Sequence, residues 1–125
     1  MIATKIDLRE SLNIPISETT TLEEKFQNQT LRPILKLQND LYLSFFTNYA
    51  TRQNAEFNLL STPKKYMFIE QSLQNDLVLK NTLIGMTIGM FILEEMKIYN
   101  SDNKVFNKRI ITMLIERLKS QIEKY

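Results

Sequence analysis

The chain has no cysteine and no histidine. Without cysteine there is no disulfide, no thiolate metal site and no cysteine nucleophile. Without histidine the commonest general base and the commonest metal ligand are missing. A histidine-based triad, a zincin-type site and a two-histidine iron site are thereby excluded for this chain alone. Carboxylates could still hold Mg²⁺ or Ca²⁺, but no run matches an EF-hand loop. The expectation is a non-enzymatic protein with no metal and no cofactor.

Glycine and proline are scarce as well, two and three in 125 residues. Sheet proteins with many tight turns need both, so their scarcity favours long helices with few connections. Charge of one sign is also missing: the first 61 residues carry six basic and seven acidic side chains, and the remainder ten and seven. Neither part is the strongly basic block of a dedicated nucleic-acid binder. The opening MIATKIDLRESLNIPISETTT has no apolar core of a signal peptide, which together with the lack of cysteine points to the cytoplasm.

What is present is helical periodicity. Residues 1–20 read as an N-terminal arm, in which Asp7 could cap a short turn that Pro15 ends. Two readings apply to it: a mobile terminus, or a segment packed through Ile2, Ile6, Leu12, Ile14 and Ile16. Residues 21–125 read as one helical-bundle domain, and at 43% apolar content the chain can bury a core.

Thr21-Leu22-Glu23-Glu24 is a capping box. Leu31, Ile34, Leu35, Leu41, Tyr42, Phe45, Phe46 and Tyr49 follow at helical period, predicting a long first helix over about 22–51, kinked or broken at Pro33. Thr62-Pro63 opens a second helix, 63–75, with Tyr66, Ile69 and Leu73 inward. A third helix is expected over 77–99, and Asn100-Ser101-Asp102-Asn103 is a turn. The last helix should span about 103–124 with Ile110, Ile111, Leu114, Leu118 and Ile122 on one face. The expected fold is all-α, a compact bundle of about four helices.

The third helix is apolar nearly all round, with Lys80, Thr87, Glu94 and Lys97 sharing one polar strip. Its uncharged run, Asn81 to Leu93, is thirteen residues, whereas a membrane span needs about 20. A central bundle helix is therefore expected rather than a membrane helix, despite the GxxxG spacing of Gly85 and Gly89. Each helical glycine costs about 1 kcal/mol relative to alanine. Either a neighbouring helix comes close at Gly85 and Gly89, or the missing side chains leave an apolar ligand slot lined by Met86, Met90 and Met96.

Glu95 falls on the wheel among Ile84, Ile88, Phe91, Ile92 and Tyr99. A carboxylate on an apolar face must be paired, hydrogen-bonded or protonated. Gln38, central on the apolar face of the first helix, and Arg32 beside it are the candidate partners near Pro33. The cluster could fix helix register or form a polar-ligand pocket. Asn28, Gln29, Arg32, Lys36 and Asn39 are a second polar concentration, able to contact phosphates or to form a solvated face. Lys104, Lys108, Arg109, Arg117, Lys119 and Lys124 make the last helix basic, but without interleaved exposed aromatics this is weak support for nucleic-acid binding.

The stretches FQNQTLRPILKLQNDLYLSFF, GMTIGMFILEEMKIY and NKRIITMLIERLKSQI resemble a family of small bacterial all-helical proteins that automated labelling sometimes calls "glyoxalase". The resemblance covers about residues 21–125 and implies a compact helical domain, with no site residue to carry over. Metal-dependent glyoxalases use paired βαβββ modules with histidine and glutamate ligands, so the label conflicts with a histidine-free chain lacking strand patterns.

The function expected from the sequence is a helical protein-interaction module, self-associating as a homodimer. Leu37 and Leu41 widen the apolar arc of the first helix to about half its circumference, Leu43 falls opposite the core side, and Phe46 sits near the edge. The alternative is a small-ligand-binding bundle with a pocket near Gly85, Gly89 and Glu95, and the third reading is nucleic-acid association through the last helix.

Overall fold

The computed structural model describes residues 5, 6, 8, 9 and 21–122. Every regular element among these residues is helical, and none is a strand. The elements are α1 (Leu22–Phe26), α2 (Arg32–Leu37), α3 (Asn39–Gln53), α4 (Thr62–Asn75), α5 (Leu77–Ile88), α6 (Leu93–Ser101) and α7 (Asn103–Ile122). A π-helical turn, Gln27–Leu31, joins α1 to α2, and a 3-10 turn, Phe57–Leu59, precedes α4.

Local chemistry sets most of these ends. Thr21 Oγ1 accepts from the Glu24 N–H at 3.1 Å, the first half of the capping box. Pro63 stands in the first turn of α4, where its missing N–H leaves no bond unmade. Asp76 caps α5 by accepting from the Leu79 N–H at 3.1 Å, and Asp102 accepts from Val105 at the start of α7. Tyr49 also donates to Asp76, at 2.7 Å; these bonds favour the charged carboxylate and hold its pKa below the ordinary value.

The long first helix differs from expectation in where it is interrupted. Pro33 lies inside α2 and is buried. The irregularity it requires is taken up one turn earlier, where the Arg32 N–H bonds to the carbonyl of Gln27, five residues back. The break falls instead at Gln38, whose backbone leaves the helical region at φ −97° and ψ 12°. That break resets the phase of α3. Leu43 and Phe46, expected outside and at the edge, are buried, whereas Leu41 and Phe45, expected inside, are exposed.

The third helix is not continuous over 77–99. α5 stops at Ile88, Gly89 caps it, and Ile92 is extended before α6 begins. Helical phase therefore does not carry across the break. Thr87, expected on a polar strip, is fully buried and bonded to Tyr42 and to the Leu83 carbonyl. In α7 the expected inward residues Ile110, Ile111, Leu114, Leu118 and Ile122 are all buried.

Two aromatic groups occupy different parts of the core. Phe26 meets Phe91 and Phe106 at centroid distances of 5.5 and 4.7 Å, with Tyr99 against Phe91 at 5.7 Å. Phe46, Phe57 and Phe68 form the other, together with Tyr49. Among the described residues no helix is long and apolar enough to cross a membrane.

Candidate functional site

The break between α5 and α6 gathers the least ordinary chemistry in the molecule. The chain between the two helices makes no regular backbone ladder, and the carbonyls of Gly89, Met90 and Phe91 there need donors from elsewhere. Two cations from the N-terminal arm supply the donors. Lys5 Nζ donates to Gly89 O at 3.0 Å and to Phe91 O at 3.3 Å, and Arg9 Nη2 donates to Met90 O. Positive charge there also suits the C-terminal end of the α5 dipole.

Glu95 lies in the first turn of α6 and is 8% exposed. Each of its oxygens accepts two hydrogen bonds. Oε1 receives the Ile92 N–H at 3.0 Å and Arg9 Nη2 at 2.9 Å; Oε2 receives Arg9 Nη1 at 2.7 Å and Thr30 Oγ1 at 2.9 Å. Burial alone would raise the carboxyl pKa, but the hydrogen bonds from Arg9, Ile92 and Thr30, with the Arg9 charge, outweigh it and leave the pKa below the ordinary value. The group is therefore an anion, held by a two-pronged guanidinium contact. Arg9 Nε is buried with no partner among the described residues.

The burial of Glu95 matches the sequence reading, while the expected partners do not. Arg32 points outward and donates to Asn28 Oδ1 at 2.9 Å. Gln38 serves a different link: its Nε2 donates to Met86 O at 3.0 Å and to Tyr42 Oη at 2.9 Å, and Tyr42 Oη lies 2.8 Å from Thr87 Oγ1. Gln38 thus joins the α2–α3 break to α5, and burial pushes the Tyr42 hydroxyl pKa up. Thr30 and Arg9 were not candidates in the sequence. Thr30 turns inward in the π-helical turn before Pro33, and Arg9 comes from an arm where a short turn capped by Asp7 is the sole helical signal. Ile6 and Leu8 of that arm are exposed; Ile2, Asp7, Leu12, Ile14, Pro15 and Ile16 lie outside the described residues.

The glycines occupy neither of the expected roles. A Cβ on Gly85 would meet no atom within 4 Å, and one on Gly89 would meet the Gly85 carbonyl of the same helix at 3.2 Å. Among the described residues, then, no neighbouring helix packs on Gly85 or Gly89, and both are exposed. Met86, Met90 and Met96 are half-buried against the core rather than lining a slot beside them. With all four acceptor positions of Glu95 taken, the ligand pocket expected near Gly85, Gly89 and Glu95 has no free polar group from that carboxylate.

The cations of α7 are divided. Arg109 donates to Gln27, Arg117 to Asn39 at 3.2 Å, and Lys119 to Glu70, while Lys104 and Lys108 face α5. Asn39, half-buried, also reaches Gln121, so part of the polar set in 28–39 ties helices together. Among the described residues no group of three or more acidic side chains could hold a metal ion. Comparison of the chain with family models, curated proteins and solved structures found no match.

Proposed function

We propose that this chain is a non-enzymatic helical interaction module that pairs with a second copy of itself. The observation that carries the reading is an exposed apolar ladder, Leu37, Leu41 and Phe45, with Leu41 59% exposed. Four-residue spacing places Leu41 and Phe45 along one side of α3, and Leu37 is exposed at the end of α2, just before the break. Gln38 and Tyr42, next to Leu37 and Leu41 in the chain, bond to α5 through Met86 and Thr87. One turn further, Tyr49 enters a shallow depression of about 660 Å³ that Phe68, Leu77 and Val78 also line.

Single exposed leucines are ordinary on a soluble protein, whereas a contiguous apolar patch is a recognised mark of an interaction surface. α5 contributes Val78, 79% exposed, and the bare backbone at Gly85, where nothing holds an approaching helix away. A two-fold pair would place each ladder on the partner's equivalent face, the commonest arrangement of homo-oligomers. Sedimentation equilibrium from low to high micromolar concentration tests this. The expected result is a monomer–dimer equilibrium that Leu41→Lys combined with Phe45→Lys abolishes without loss of helical circular dichroism. A wild-type protein still monomeric at high micromolar concentration overturns the proposal.

A further inference from the structure

We infer that the groove between α5 and α7 is a binding site for a long-chain carboxylate, a fatty acid. The groove has a volume of about 540 Å³, within the roughly 300–1,000 Å³ typical of small-molecule sites. Its floor is aliphatic, formed by Ile84, Ile111 and Ile115. Its rim carries Lys80 from α5 and Lys104 and Lys108 from α7, and no acidic side chain lines it. None of the three ammonium groups has a hydrogen-bond or ion-pair partner among the described residues. The other described cations of α7, Arg109, Arg117 and Lys119, are engaged with neighbouring segments, so the two unpaired lysines of that helix both line this groove.

The arrangement along α7 gives the ligand a direction. Lys104 and Lys108 stand in its first two turns, and Ile111 and Ile115 in the next two. A carboxylate held by Lys104 and Lys108 therefore leaves its chain to run along α7 over Ile111 and Ile115, with Lys80 lining the α5 side of the groove. The charge is recognised by cations at the groove mouth, and the chain is held by removal of apolar area from water.

Shape and composition separate this occupant from others. The floor is one row of side chains between two helices, Ile84 on α5 and Ile111 and Ile115 on α7. An alkyl chain fits such a row, whereas a peptide helix about 10–12 Å across would sit above it. No aromatic residue lines the groove, so the stacking platform that single-stranded nucleic acids use is missing. The site lies on the flank of α5 facing α7 and meets the depression beside Tyr49 only at Leu77, while its lysines and isoleucines are not part of the surface proposed for self-association.

The test uses the full chain labelled at isoleucine δ1 methyls, titrated with dodecanoate below its micelle concentration. Saturable shifts at Ile84, Ile111 and Ile115, with Ile34 and Ile69 unmoved, are expected. The methyl ester of the same chain length should bind at least about tenfold more weakly, as should dodecanoate to the Lys80→Gln, Lys104→Gln, Lys108→Gln triple variant, a difference of about 1.4 kcal/mol. All three lysines are surface groups, and circular dichroism verifies that the triple variant keeps its fold. Absence of saturable binding, shifts distributed over the other isoleucines, or equal affinity of the ester and of the triple variant overturns the assignment. So does an acidic helical peptide that binds through the same lysines while dodecanoate does not.

Discussion

At the scale of single residues, Glu95 is the most consequential side chain in the molecule. Its charge is buried and fully bonded, and removing one partner of such a pair leaves the other charge uncompensated. Glu95→Gln should destabilise the protein by about 3 kcal/mol at pH 7, measured by urea unfolding. The pH dependence has a definite sign. The folded pKa lies below the ordinary glutamate value, so the carboxylate's contribution is complete above that ordinary value and is lost as pH falls through the folded one. The difference between wild type and Glu95→Gln should therefore be largest near neutrality and shrink below about pH 4. Equal stability of the two proteins at every pH would contradict the buried anion. Tyr42 is a smaller case: Tyr42→Phe removes a hydroxyl shared by Gln38 and Thr87 and should cost about 1 kcal/mol.

At the scale of elements, α5 shows how a helix tolerates an unfavourable residue. Gly85 lies inside the helix with open space where a side chain would be. Gly85→Ala should raise stability by up to about 1 kcal/mol in thermal melts at a dilution where the chain is monomeric. Gly89 behaves differently, because it caps α5 and its Cβ would crowd the Gly85 carbonyl at 3.2 Å. Gly89→Ala should give no comparable gain. α6 starts without a serine, threonine, aspartate or asparagine at its N-cap, Ile92. Its first turn depends on Glu94 and Glu95 and on the Glu95 bond to the Ile92 N–H.

At the scale of the whole molecule, hydrogen bonds join the α5–α6 break to the π-helical turn and to Lys5 and Arg9. Arg9 reaches Met90 and Glu95, Thr30 reaches Glu95, and Lys5 reaches Gly89 and Phe91. Deletion of residues 1–20 should destabilise the remaining chain at least as much as Arg9→Gln does, because both leave the same carboxylate without its counter-ion and the deletion also removes the Lys5 bonds. A double-mutant cycle checks the link: Arg9→Gln and Glu95→Gln together should cost less than the two separate losses added, with a coupling of about 1–3 kcal/mol. Additive losses would show that the arm and α6 act separately.

The sequence by itself determined the helical class and most helix ends, because those depend on local chemistry. Scarce glycine and proline, the Thr21 capping box, Pro63, Asp76 and the turn at Asp102 each act within a few residues, and the α7 core face follows from period alone. Glu95 is buried as expected, although the wheel that suggests it runs across the Gly89–Ile92 interruption; within α6 its one-turn neighbour Tyr99 shares the buried face. Only the tertiary structure decided the partners. Wheel arguments assume one uninterrupted phase, and the interruptions at Gln38 and at Gly89–Ile92 reset it, exchanging Leu43 for Leu41 at the surface and burying Thr87. Arg9 lies 86 residues from Glu95 in the chain, and no periodicity carries information over that distance. The groove above Ile84, Ile111 and Ile115 exists only because α5 and α7 pack side by side, which brings together lysines that in sequence look like unrelated surface charges.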